Sequence, residues 1–214
     1  MIEIIPAILT NDSSELREKL EALGEAVERV QIDIIDGVFA DNKTILPDVL
    51  ANEETNLLID FHLMTKEPVF WVERCVRGMA DRIFGQIEQM SSQTEFIGKV
   101  QEVGAKVGLA LDLDTQVEKI EPEVFLNLDA VLVMSVKAGF GGQEFDGRVI
   151  DKIKKLDEIR SRDATPFNIC VDGGINESNI GVVVKAGANE VAVGQYLFKE
   201  DLVTHVRKLM EAAY

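Results

Sequence analysis

Short apolar runs alternate with polar, amphipathic stretches along the whole chain, and no Ser/Gly/Pro-rich linker interrupts them. The pattern predicts strands at Glu3–Leu9, Arg29–Ile35, Leu57–Met64, Arg82–Ile87, Lys106–Leu111, Ala130–Val136, Asn168–Val171 and Glu190–Val193. Runs such as Ala130-Val131-Leu132-Val133-Met134 are near-continuously apolar, as parallel strands covered on both faces require. Amphipathic periodicity predicts helices at Ser13–Leu23, Pro68–Arg77, Thr94–Val103, Val117–Leu128, Ile150–Arg160, Ser178–Ala186 and Leu202–Ala213, with a further short one at Leu46–Ala51. Gly104 and Gly187 stand where a helix gives way to the next strand, the usual place for a C-terminal glycine.

Eight strand–helix units in 214 residues predict one α/β domain, residues 1–214, folded as a single (β/α)8 TIM barrel. That is compact beside the roughly 250 residues typical of the fold. A doubly wound open sheet shares the alternation. The polar positions decide for the barrel: Asp33, Asp36, His62, Glu88, Ser135 and Asp172 fall at strand C-terminal ends, the rim where barrels carry their chemistry.

Composition narrows the function classes. Lys plus Arg number 22 against 38 Asp plus Glu, a net charge of −16. So acidic a chain is repelled by a polyanionic backbone, and no nucleic-acid partner is expected. The sequence holds no run of 18 apolar residues, so no membrane span is expected. Met1–Pro6 has neither a basic flank nor a long apolar stretch, so no secretory signal is expected either, and a cytoplasmic location follows. Cys75 and Cys170 have no metal-ligand spacing and read as small core hydrophobes in a reducing compartment.

Asp33 lies inside an apolar strand and Asp172 closes another. A carboxylate in that setting loses hydration and needs a partner, a proton or a cation. Asp33 shares a strand face with Gln31 and Ile35. Asp36, next to Gly37, reads instead as a loop cap. His62 occupies the same kind of strand-end position as the two aspartates, and beside them it becomes a candidate ligand. A second constellation is made of turns: Gly139-Phe140-Gly141-Gly142-Gln143, Gly173-Gly174 and Gly194-Gln195 follow the last three strands. Such turns let backbone N–H groups approach an anion, and barrels hold phosphate near strands seven and eight. Lys137 is the one cation the sequence puts near this rim, and it reads as a solvated loop lysine. His205, in the last helix, reads as a surface residue.

In order along the chain, Pro6-Ala7-Ile8-Leu9, Ile32-Asp33-Ile34-Ile35-Asp36-Gly37-Val38-Phe39, Asp60-Phe61-His62-Leu63-Met64, Met134-Ser135-Val136-Lys137-Ala138-Gly139-Phe140-Gly141-Gly142-Gln143 and Val171-Asp172-Gly173-Gly174 resemble the ribulose-phosphate 3-epimerase family. The resemblance implies proton-transfer epimerisation at C3 of a phosphorylated ketose, interconverting D-ribulose 5-phosphate and D-xylulose 5-phosphate. It makes Asp33 and Asp172 the acid–base pair and also metal ligands. It places Met64 and Met134 against the reacting sugar and Gly142, Gly173, Gly174 and Gly194 on phosphate-binding turns. It implies a divalent metal (Zn²⁺, Mn²⁺, Mg²⁺ or Fe²⁺), and a homo-oligomer is expected.

The chain departs from the family pattern around that site. Gln31 stands where the family has a metal-ligand His, Gln86 and Val38 replace further histidines, and Ala7 replaces a serine. Ile35 replaces a methionine, Ala138 a proline, and Gln195 a phosphate-loop serine. An amide oxygen coordinates hard cations but is a poorer ligand than imidazole for zinc. The expected metal set is therefore Asp33, His62 and Asp172, with Gln31 as a weak fourth member. The alternatives are an epimerase for another ketose phosphate and an impaired phosphosugar-binding homologue. Because both acids and most phosphate turns remain, the active epimerase is preferred.

Overall fold

The computed structural model describes residues 1–24, 26–163, 167–199 and 201–214. Eight parallel strands close into a barrel: β1 (Glu3–Ile8), β2 (Arg29–Ile35), β3 (Leu58–Met64), β4 (Ala80–Gln86), β5 (Lys106–Leu111), β6 (Ala130–Met134), β7 (Asn168–Asp172) and β8 (Glu190–Val193), with β8 pairing back onto β1. Among the described residues six α-helices lie between them: α1 (Ser13–Leu23), α2 (Val72–Arg77), α3 (Gln93–Glu102), α4 (Val149–Asp163), α5 (Ile180–Ala186) and α6 (Leu202–Ala212).

Strand parity divides the buried residues into two cores. Val30, Ile32, Ile34, Ile59, Phe61, Leu63, Val131, Val133, Ile169 and Val171 belong to the large cluster between barrel and helices. The alternate positions form the smaller interior cluster, which includes Ala7, Ile35, Met64, Phe84, Ala110, Leu132, Met134, Cys170 and Ala192. Polar side chains share this inner parity, and they do so in two layers. At the strand N-terminal end, Arg82 donates to Asp60 at 3.1 Å and to Glu190 at 3.0 Å, and Arg29 also bonds Asp60. Arg82 stacks 4.6 Å from the Phe84 ring centroid. That ring lies over Gly108 on the neighbouring strand, where a Cβ would come within 2.1 Å of it. The second polar layer, at the opposite end, is the site described below.

The strand assignment agrees with the sequence pattern to within two residues at each end. The helical connections differ more. The helix expected at Val117–Leu128 is two 3-10 turns, Val117–Lys119 and Pro122–Asn127. Pro122 has no N–H to continue a helix and forces its predecessor out of the α region; Glu121 sits at φ −63°, ψ 128°. Likewise Pro47 and Pro68 open 3-10 turns, at Pro47–Asn52 and Pro68–Trp71, so the helix expected from Pro68 begins its α portion only at Val72. His205 is a further correction. It is buried rather than on the surface, its ring 4.8 Å from that of Tyr196.

Candidate active site

Register brings the chemistry together. Asp33 on β2 lies beside His62 on β3, and Met134 on β6 beside Asp172 on β7. All have the inward parity, so the four side chains converge at the C-terminal end of the barrel. The Asp33 carboxylate approaches His62 Nδ1 at 3.2 Å, and Asp172 Oδ2 lies 3.6 Å from the same nitrogen. One ligand atom from each of Asp33, His62 and Asp172 lies within 4.8 Å of the others. His62 is fully buried, while 7% of Asp33 and 8% of Asp172 remain exposed. The two acids therefore open upward into a cavity, whereas the imidazole supports them from below.

Burial raises the Asp33 carboxyl above the usual carboxylate range, and the neighbouring Asp172 charge adds to that; His62 and Gln31 oppose it by hydrogen bonding. Burial alone would lower the His62 imidazole, yet its contacts with Asp172 and Asp33 and their charges outweigh it and hold the ring at about 9. At neutral pH His62 is consequently an imidazolium wedged against both acids.

Gln31 completes the layer. Its Nε2 donates to Asp33 at 2.9 Å and to Asp172 at 2.7 Å, so the amide bridges the pair. Without a cation between the acids, the orientation that serves them is nitrogen inward. An amide nitrogen has no lone pair to give a cation, and the oxygen that has one is buried without a partner. Turning the amide over would bring that oxygen inward, which is favourable only with a cation between the carboxylates. The remaining O, N, O donor set of Asp33, His62 and Asp172 fits a divalent ion of the Mg²⁺ to Zn²⁺ range.

Above the acids lies a cavity of about 980 Å³. It is lined by Met64 and Met134 next to the acids, and by Gly139, Gly141, Gly142, Gln143, Gly173, Gly174, Gly194 and Gln195 around the rim. His62 and Gln31 lie beneath this lining. Two of the glycines show why the turns need that residue. Gly173 (φ +112°) and Gly174 (φ +62°) occupy the left-handed region, and a Cβ on Gly174 would lie 2.5 Å from the Phe145 nitrogen. The Gln195 side chain faces Gly142 across the rim, so the replaced serine still leaves a polar group there. Asn42 Nδ2 donates to the Gly139 carbonyl at 2.8 Å and ties the loop after β2 to the loop after β6.

Asp36 caps its loop as expected, accepting from the N–H groups of Val38 and Phe39 at 2.8 Å each and from Lys66 at 2.8 Å. The cations differ from expectation. Lys137 is exposed and outside the cavity lining, whereas Lys19 on α1 and Lys199 after β8 line it. Lys19 pairs with Glu15 at 2.6 Å and lies 5.1 Å from the Phe198 ring centroid. Sequence reading missed both lysines because only folding brings Lys19 against Phe198, next to Lys199, at the rim.

The sequence model of the ribulose-phosphate 3 epimerase family matches residues 3–198. Ribulose-phosphate 3-epimerase of Aquifex aeolicus (strain VF5) is 34% identical over 210 residues, 96% of this chain and 94% of that protein. The Methanocaldococcus jannaschii protein of the same name is 33% identical over 217 residues, 100% of this chain and 92% of that one. Among solved structures, a 3-hexulose-6-phosphate synthase aligns with a TM-score of 0.71 at 15% identity, covering 100% of both chains. The 3-keto-L-gulonate-6-phosphate decarboxylase of Vibrio cholerae aligns with a TM-score of 0.74 at 12% identity, covering 99% of this chain and 97% of the other. The structural likenesses establish the barrel, and the sequence relatives establish more: the chain belongs to the ribulose-phosphate 3-epimerase family.

Proposed function

We propose that this chain is an isomerase that interconverts D-ribulose 5-phosphate and D-xylulose 5-phosphate by proton transfer at C3. The observation that carries the reading is the pair of aspartates, Asp33 and Asp172, sharing one centre at the base of a cavity whose rim is built from glycine turns. One carboxylate takes the C3 proton and leaves a planar enediolate; the other acid, reaching from a different strand, returns a proton to the opposite face. That division of labour requires the two acids to hold different protonation states. The raised affinity of Asp33 for its proton supports it as a partner able to carry one.

Asp33, His62 and Asp172 are the residues that would hold a divalent cation, which when bound supplies positive charge against the oxygens of the enediolate. Met64 and Met134 give the sugar an apolar, polarisable wall and keep water from the planar carbon. The phosphate belongs at the far side of the cavity, at Gly142, Gly174, Gly194 and Gln195, with Lys19 and Lys199 nearby. This arrangement keeps a dianion away from two buried carboxylates in an otherwise acidic protein.

The test is solvent exchange. Incubation with D-ribulose 5-phosphate in D₂O, with Mg²⁺, Mn²⁺, Fe²⁺ or Zn²⁺ supplied, is expected to place deuterium at C3 and to produce xylulose 5-phosphate. Sugar-phosphate binding without exchange under any of these ions would replace the enzyme reading with that of a binding protein.

A further inference from the structure

Behind the site stands a residue that touches neither the cavity nor the aspartates. Gln86, at the end of β4, is fully buried against the far edge of the His62 ring, with its amide 3.2 Å from His62 Nε2. Its other neighbours are obligate acceptors: the Glu88 carboxylate at 2.7 Å and the Ala110 carbonyl at 3.0 Å. The Gln86 NH₂ must face those two, which leaves its oxygen facing His62. An oxygen in that position accepts only from an Nε2 that carries hydrogen. The Nδ1 edge is thereby the one left for the gap between Asp33 and Asp172. Glu88 is itself held, because the Asp112 N–H donates to it at 2.8 Å.

We propose that Gln86 is a positioning residue for the site, fixing His62 with Nε2–H bound outward and Nδ1 aimed inward through a relay anchored by Glu88 and the Ala110 carbonyl. The relay fixes the tilt of the ring, and once Nδ1 gives up its proton it keeps the remaining one on Nε2, as outer partners of ligating histidines do. It deepens the reading of Asp33, His62 and Asp172 as an acid–base and cation centre and rests on it for the catalytic consequence. Its structural content stands apart from that consequence.

The chain has two histidines, so ¹⁵N-edited imidazole spectra of the metal-free protein are easily assigned with a His62→Asn control. Wild-type protein is expected to show a slowly exchanging His62 Nε2–H proton. Gln86→Met, close in volume and without an acceptor oxygen, is expected to lose that protection. Mn²⁺ affinity by calorimetry should fall by about 10–100-fold in this variant, and kcat should fall with KM for the sugar phosphate changed less than about twofold, since Gln86 is remote from the lining. Glu88 is exposed, so Glu88→Gln tests the relay without burdening the fold; it frees the Gln86 amide to turn over and should weaken Nε2–H protection in the same direction. An Nε2–H signal equally protected in wild type and Gln86→Met overturns the proposal. Absence of epimerisation and of Mn²⁺ binding in the wild type, with Nε2–H protection still dependent on Gln86, would instead refute the catalytic reading and leave the relay standing.

Discussion

A divalent cation entering the centre must displace the proton that His62 carries on Nδ1. The ring is held at about 9, against an ordinary 6.5, by Asp172 and Asp33 acting against the cost of burial. At pH 7 only about 1% of His62 is then neutral, so the apparent affinity for metal is about 100-fold below that of the deprotonated site. Uptake at pH 7 should release at least one proton per ion, and affinity should rise about tenfold for each pH unit between 7 and 9. The raised Asp33 carboxyl adds further release on the acid side. Calorimetric Mn²⁺ titrations in buffers of different ionisation enthalpy count the protons directly, and His62→Asn should abolish the alkaline part of the dependence. Zero release at pH 7, with affinity flat from pH 6.5 to 8.5, would refute the picture of an imidazolium wedged between two acids.

Metal-free stability carries the same signature with a defined sign. Because the folded value exceeds the ordinary one, the contribution of His62, on the order of 3 kcal/mol, is complete below about pH 6.5 and is lost as pH rises through 9; urea unfolding of wild type and His62→Asn across that window measures it. Asp33→Asn and Asp172→Asn should each lower C3 exchange by about 10²–10⁴-fold while leaving sugar-phosphate binding measurable. Gly174→Ala should cost about 1–3 kcal/mol of backbone strain, aggravated by the close Phe145 nitrogen, and raise KM; thermal unfolding and initial rates read the two effects separately. Lys19→Met or Lys199→Met should raise KM about two- to fivefold at low salt with kcat unchanged, and the difference should shrink in high salt.

The strands and the two acids were legible because their signals are local. An aspartate in an otherwise apolar strand is conspicuous, and alternation fixes which face it takes, so Asp33, His62 and Asp172 could be placed before any coordinates. Gly139, Gly141, Gly142, Gly173 and Gly174 were legible as turn residues for a similar reason, and they line the cavity. What escaped depended on contacts distant in sequence. His205 lies on the buried face of α6 with Leu202 and Leu209, its ring against Tyr196, so polarity alone misplaced it. Lys19 looks like any surface i,i+4 partner of Glu15 until the fold brings it over the Phe198 ring beyond β8. The bridge that the Gln31 amide makes between Asp33 and Asp172 joins β2 to β7, a pairing that residue type alone does not reveal. The helix expected at Val117–Leu128 overlooked the local veto of Pro122.

Beneath the aspartates, Phe84 and the Arg82, Asp60 and Glu190 cluster act as a stopper in the bore. A hydrogen lifted from the sugar meets packed, buried side chains below it. Its fate is settled between the two acids and the mouth of the barrel, so the share of label retained through one turnover measures how fast solvent reaches the pair from above.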